Sequence, residues 1–80
     1  TANAVLPGWV RTELAERSAV TEAESRGLTV DDVWREREAL SPPKRVVEPI
    51  EVAQVIAFLA SEESRGVSGQ SIPVTLGSFW

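Results

Sequence analysis

The sequence predicts an α/β fold in which the chain supplies the end of a sheet and one strongly apolar helix that packs on it. Three observations lead there. Gln70 to Leu76 alternates, with Ile72, Val74 and Leu76 on one face and Ser71, Pro73 and Thr75 on the other, the period-two pattern of a strand with one buried face. Ile50, Val52, Ala53 and the run Val55 to Ala60 are apolar, interrupted only by Glu51 and Gln54, so this helix is apolar around most of its circumference and is expected to be buried on more than one side. Thr1 to Leu6 reads as a short strand or the end of one, and strand–helix–strand order around one apolar helix marks the end of an α/β sheet.

The elements follow in chain order. Pro7-Gly8 stops the first strand, because proline lacks a donor and glycine permits unusual dihedrals. Glu13 to Arg26 is helix-compatible with little apolar patterning, so its charges are expected to form a solvated face. Thr12 suits its N-cap and Gly27 its C′ position. A second helix starts at once: Thr29 with Asp32 three residues on resembles a capping box, and Leu28 with Val33 resembles a hydrophobic staple. Val30, Val33, Trp34 and Leu40 then share one helical face. Ser41-Pro42-Pro43 ends this helix, since a residue before proline is pushed out of α geometry. Pro49 suits the first turn of the apolar helix. Pro73 argues for an edge position of the last strand, where a missing N–H costs least.

Composition closes several routes. The 80 residues make at most one small domain, which buries only about 60% of its unfolded surface. A hydrophobic fraction of 42% is too high for a disordered chain. Cysteine and histidine are both absent, which removes disulfides, thiolate catalysis, the commonest general base and the commonest metal ligands; no metal site is expected. The net charge is −4 and the basic residues are interleaved with acids, so nucleic acid and anionic membranes are not expected partners. No apolar run approaches the roughly 20 residues of a membrane span, and no basic segment followed by an apolar stretch marks a leader. The expected location is the cytoplasm.

Four blocks carry a family resemblance. Asn3-Ala-Val-Leu-Pro-Gly-Trp-Val-Arg-Thr12 resembles the segment after the sixth strand of short-chain dehydrogenases/reductases, commonly N-x-(V/I)-x-P-G-x-(V/I)-x-T. Lys44-Arg45 with Glu48-Pro-Ile-Glu-Val-Ala53, then Ile56-Ala-Phe-Leu-Ala-Ser61, then Ser68-Gly-Gln-Ser-Ile-Pro-Val74 resemble the family's last helix and last strand, in the family's order. The resemblance implies the C-terminal part of a Rossmann-like, doubly wound parallel sheet. Residues 1–12 are then a strand end and cofactor loop, 13–47 substrate-lid helices, and 48–80 the last helix and an edge strand. It further implies that Pro7, Gly8, Val10 and Thr12 line the nicotinamide end of an NAD or NADP site. In the family the backbone of the residue matching Val10 holds the nicotinamide carboxamide, and the hydroxyl matching Thr12 also contacts the cofactor. The length of segment 13–47 and its Thr29–Glu36 stretch are similar to hydroxybutyrate-dehydrogenase-like members.

Plainer readings stand beside these. Pro7-Gly8 is an ordinary turn sequence, Thr12 a helix cap, Val10 a buried aliphatic residue, and Trp9 and Trp34 packing residues. The family often ends its last strand with V-D-G-G, whereas this chain has Val74-Thr-Leu-Gly77, which puts the usual turn in doubt. The glycine-rich phosphate loop is missing, and so is the catalytic Tyr-x-x-x-Lys pair, because tyrosine is absent. No catalytic residue is therefore assigned. The sole lysine, Lys44, lies in a proline-bounded linker and reads as solvated. The expectation is a part of an NAD(P)-dependent oxidoreductase acting on a small alcohol or ketone, with the isolated chain inactive and binding no cofactor alone. The alternative is a non-catalytic interaction module. In either case homo-oligomerisation is expected through helix 49–61 and strand 70–76.

Overall fold

The computed structural model describes residues 1–78; Phe79 and Trp80, the end of the expected 48–80 segment, lie outside them. Strand β1 (Ala4–Pro7) is followed by helices α1 (Glu13–Arg26), α2 (Val30–Ala39) and α3 (Pro49–Leu59), a 3₁₀ turn at Glu62–Ser64, and strand β2 (Ser71–Val74). β1 and β2 pair in parallel, with Val5 opposite Ile72 and Pro7 opposite Val74. The architecture is the expected α/β arrangement with a parallel sheet.

Local capping chemistry sets the helix ends. The Thr12 hydroxyl accepts from the Ala15 amide at 3.1 Å, and α1 stops at Gly27 in the left-handed region (φ 67°). At α2 the Asp32 amide donates to the Thr29 hydroxyl (3.1 Å) and the Thr29 amide donates to the Asp32 carboxylate (3.2 Å), a complete capping box. The Glu48 amide donates to the Glu51 carboxylate (2.9 Å) at the start of α3. At its far end buried Ser64 donates toward the Leu59 and Ser61 carbonyls (2.9 and 3.1 Å).

Register depends on Asn3. Its side-chain amide donates to the Val67 carbonyl (3.2 Å) and its side-chain oxygen accepts from the Gln70 amide (3.0 Å), fixing the entry to β2. The Ala4 amide then donates to the Gln70 carbonyl and the Gly8 amide to the Val74 carbonyl. In a parallel ladder alternate residues face the partner, so β2 faces β1 through its even-numbered residues. The Pro73 nitrogen points away from β1, as expected of an edge strand.

The hydrophobic core lies between α1 and α2, not under the sheet. It comprises Ala15, Ala19, Ala23, Val33, Trp34 and Val46, with Leu28 and Val30 packed against it. α1 thus buries a stripe of alanines four residues apart, a face that apolar patterning did not reveal. The predicted face of α2 needs one correction. Leu40 is 52% exposed, and Arg37 takes the interior place, because its planar guanidinium finds both hydrogen-bond acceptors and aromatic faces there.

α3 also departs from expectation. None of its residues is buried; Ile50, Ile56 and Phe58 are all large and exposed. It covers the side of the sheet bearing Val5, Ile72 and Val74 and leaves clefts along both flanks. Among the described residues its large apolar side chains Ile50, Ile56 and Phe58 stay open to solvent. The radius of gyration, 15.0 Å, accordingly exceeds the roughly 12 Å of a compact chain of this length.

The strand expected over 70–76 ends at Val74. Thr75 to Ser78 forms a turn closed by the Ser78 amide on the Thr75 carbonyl (2.9 Å), with Leu76 at φ 54° and Gly77 at φ 82°. The turn that the missing glycine put in doubt therefore forms, with a leucine in a conformation that costs roughly 1–2 kcal/mol relative to glycine. Lys44 is exposed, as expected, and its ammonium donates to the Ala39 carbonyl at the end of α2 (3.0 Å).

Arg37→Ala is expected to destabilise the chain by about 3 kcal/mol, the combined scale of desolvated cation–π contact and charged hydrogen bonds. Arg37→Lys should recover less than half of it, because an ammonium cannot stack or fork; thermal unfolding monitored by near-ultraviolet circular dichroism measures both. A second expectation concerns acid. The Arg45 guanidinium (2.6 Å) and the Glu48 amide hold the Glu51 carboxyl down from its ordinary 4.5 to about 2. Asp32 is lowered by the Thr29 cap and Glu36 by Arg26. These carboxylates have folded values below their unfolded ones, so their stabilisation is complete above about pH 4.5 and is lost as pH falls toward 2. The Glu48 amide resonance should follow that window in an NMR titration and stop doing so in Glu51→Gln.

Candidate functional site

The segment Gly8–Thr12 leaves the carboxyl end of β1 and is pinned from one side. The Val47 amide donates to the Trp9 carbonyl (2.9 Å) and the Arg11 amide donates to the Val47 carbonyl (2.9 Å), forming an isolated parallel bridge opposite Val10. Because Trp9 and Arg11 are both engaged by Val47, the N–H and C=O of Val10 between them point the other way. Among the described residues neither group has a hydrogen-bond partner. Val10 therefore offers one donor and one acceptor side by side, the complement of a primary carboxamide.

That side is a cleft of about 410 Å³. Gly8, Val10 and Thr12 line it together with Trp9, Leu14 and Ser18. Three of the four residues singled out in the sequence thus share one wall. Pro7 is not among the lining residues; it closes β1 opposite Val74, so its position is that of a strand end. Thr12 does cap α1, and its hydroxyl retains a hydrogen free to donate, since in the cap it only accepts. Gly8 is half-buried and brings no side chain to the cleft wall.

Trp9 and Trp34 do more than fill space. The Arg37 guanidinium lies 3.7 Å from the Trp9 ring centre and 4.8 Å from that of Trp34, and Arg11 lies over Trp34 at 4.2 Å. Arg37 is 5% exposed and donates to the Ala15 carbonyl (3.1 Å) and the Ser18 hydroxyl (3.0 Å), with Glu22 at 3.5 Å. The Glu16 carboxylate accepts from the Trp34 indole (3.0 Å) and from Arg11 (3.1 Å). This stack joins the loop after β1 to both α1 and α2. Arg37, Glu16 and Val47 were not singled out as site residues. Their roles depend mainly on contacts distant in sequence, such as Glu16 with Trp34 and Val47 with Trp9, which no local pattern carries. Among the described residues no group of acidic side chains is arranged to hold a metal ion, and no helix is long and apolar enough to cross a membrane.

Comparison with known proteins decides the family. The family model described as enoyl-(acyl carrier protein) reductase matches residues 1–78. The chain is 37% identical over 70 residues to D-beta-hydroxybutyrate dehydrogenase of Cupriavidus necator, covering 86% of this chain and 27% of that protein. A short chain dehydrogenase family protein from Francisella tularensis superposes with a TM-score of 0.90 at 31% identity, over 96% of this chain and 32% of that one. The chain belongs to the short-chain dehydrogenase/reductase family. A variant of actinorhodin polyketide ketoreductase solved with NADPH superposes with a TM-score of 0.84 at 31% identity, covering 99% of this chain and 31% of that one. The chain thus spans about a third or less of the length of these relatives. Its parallel β1–β2 pair with α3 between them in sequence is the family's Rossmann-like arrangement.

Proposed function

We propose that this segment forms one wall of the nicotinamide pocket and the substrate lid of an NAD(P)-dependent oxidoreductase that interconverts an alcohol and a carbonyl compound. The observation that carries the reading is the unengaged donor–acceptor pair of Val10, turned into the cleft by the Val47 bridge. A nicotinamide carboxamide would accept from the Val10 N–H and donate to its C=O. The Thr12 hydroxyl would donate a further hydrogen bond, and Gly8 would leave room for a flat ring. The residues present therefore fit the nicotinamide end of the cofactor, which supplies hydride transfer when bound. Pro7 contributes by ending the strand at the level of the cleft. Helices α1 and α2, clamped to the loop through Arg37 and Trp9, would cover the substrate and exclude water.

No residue here is proposed as the proton donor, because the chain has no tyrosine and no glycine-rich phosphate loop. The isolated chain is expected to show no turnover, and phosphate and adenosine recognition would be supplied by sequence not in this chain. NAD and NADP remain equal candidates, and the cytoplasm remains the proposed location. Relatives include a D-beta-hydroxybutyrate dehydrogenase and a ketoreductase, in keeping with a small alcohol or ketone substrate.

Nicotinamide riboside titrated into the isotope-labelled chain should shift the amide resonances of Gly8 and Val10 and leave α3 unmoved. Val10→Pro removes the unpaired N–H together with its resonance and fixes φ there, so it is read at Gly8, whose shift should weaken about tenfold; an undiminished Gly8 response would sink the carboxamide assignment.

A second reading concerns assembly. Ile50, Ile56 and Phe58 on α3, together with Leu6 on the far side of the sheet, expose large apolar side chains, and such patches favour association. We propose that helix 49–61 and strand 70–76 pair with a second copy. Sedimentation velocity should show a concentration-dependent dimer or larger species, abolished by Ile56→Glu with Phe58→Lys; a compact monomer at all concentrations would overturn this.

A further inference from the structure

We infer that the cleft selects an uncharged substrate with a flat, apolar ring system, and discriminates against small hydroxy or keto acids. The inference rests on the cofactor reading above and specifies the substrate class for the same cleft.

Charge is the first observation. None of the residues lining the cleft is charged, and its polar side chains are the hydroxyls of Thr12 and Ser18. The Ser18 hydroxyl already accepts from Arg37. A carboxylate taken from water into an apolar cleft needs a cation or several donors to offset its desolvation. Two of the arginines near the cleft, Arg11 and Arg37, are engaged elsewhere. Arg11 pairs with Glu16 and lies over Trp34. Arg37 is buried, spread over the Ala15 carbonyl, Ser18 and Glu22, and enclosed by two indoles. Arg17, one residue before Ser18, is exposed and is not part of the lining.

Shape is the second. Trp9 belongs to two walls: that of the open cleft, and that of a small space of about 10 Å³ lined also by Arg37, Val46 and Val47. Arg37 lies against the Trp9 ring at 3.7 Å, and the residue as a whole remains 36% exposed. The indole is thus held rigid from behind while part of it lines the cleft, a platform suited to offset stacking with another flat ring. Leu14, in the first turn of α1, is 71% exposed and also lines the cleft. A leucine left open to water beside a fixed indole makes an apolar clamp whose exposed surface is removed from water by a ring between them.

The test compares two secondary alcohols, 1-tetralol and 3-hydroxybutyrate, by NMR titration of the isotope-labelled full chain. 1-Tetralol is expected to shift the Gly8, Val10, Leu14 and Ser18 amides and to bind at least tenfold more tightly than 3-hydroxybutyrate. Leu14→Arg, a change at an exposed helix position, should reverse that order, and Leu14→Ala should weaken 1-tetralol several-fold without helping the acid. Equal or tighter binding of 3-hydroxybutyrate to the unaltered chain overturns the inference. So does the absence of 1-tetralol shifts at the cleft, or shifts confined to α3. Nicotinamide riboside is titrated in a separate arm: a lost Val10 response with 1-tetralol selectivity retained strikes the cofactor reading alone, and the opposite result strikes the substrate class alone.

Discussion

The packing of α1 and α2 on the loop after β1 depends on one buried charge. Arg37 sits between Trp9 and Trp34 with its guanidinium donating to the Ala15 carbonyl and the Ser18 hydroxyl. Burying an ion is costly unless donors and acceptors are matched, and here most of them are; its Nε alone lacks a partner among the described residues. The match requires several things at once. α1 must approach closely enough to present a backbone carbonyl, which the Ala15–Ala19–Ala23 stripe allows. Trp34 must be held flat, which Glu16 does through the indole N–H. Trp9 must be brought over from the loop after β1, which the Val47 bridge does. Removing the guanidinium would loosen the contact between the two lid helices and the loop together.

Features encoded within a few residues were legible in the sequence. The Thr12 cap, the Gly27 stop, the Thr29–Asp32 box and the proline-bounded end of α2 each need only their neighbours, and each is found where the residues place it. The lid interior was not legible, for two physical reasons. A stripe of alanines carries almost no apolar signal, although it buries well against a large partner. An arginine reads as solvent-facing until its aromatic partners are known, so Leu40 was given the interior place that Arg37 holds. The cleft was legible in part. Pro7, Gly8, Val10 and Thr12 came from a motif, and three of them line one wall. What makes Val10 distinctive is the direction of its backbone groups, which depends on Val47, 37 residues away.

The sheet and α3 obey different physics from the lid. Their apolar residues are arranged correctly for burial, yet α3 buries none of its own and the sheet contributes only Thr75 beside it to the buried set. Hydrogen bonds supplement partial packing in this half: the Asn3 side chain on Val67 and Gln70, the parallel ladder, and Ser64 on the end of α3. Leu76 in the left-handed region adds a local cost at the very turn that brings Gly77 against Pro42.

The cleft lies where these two halves meet, and this explains how its wall is held. Gly8 is tied to the sheet through Val74, whereas Trp9 and Arg11 are tied to Val47 and, through Arg37, to the lid. Val10 stands between the two anchors with its own groups unengaged. A backbone segment with open hydrogen-bonding groups is ordinarily the first to rearrange, so its geometry must be imposed by its neighbours. Here the imposition is asymmetric: the lid side rests on a packed core and a stacked cation, and the sheet side on a two-stranded ladder whose apolar faces are open. The orientation of Val10 is accordingly controlled more by Val47 and Arg37 than by the strand from which the loop emerges. A displacement of α1 and α2 would therefore reach the donor–acceptor pair before it reached the sheet.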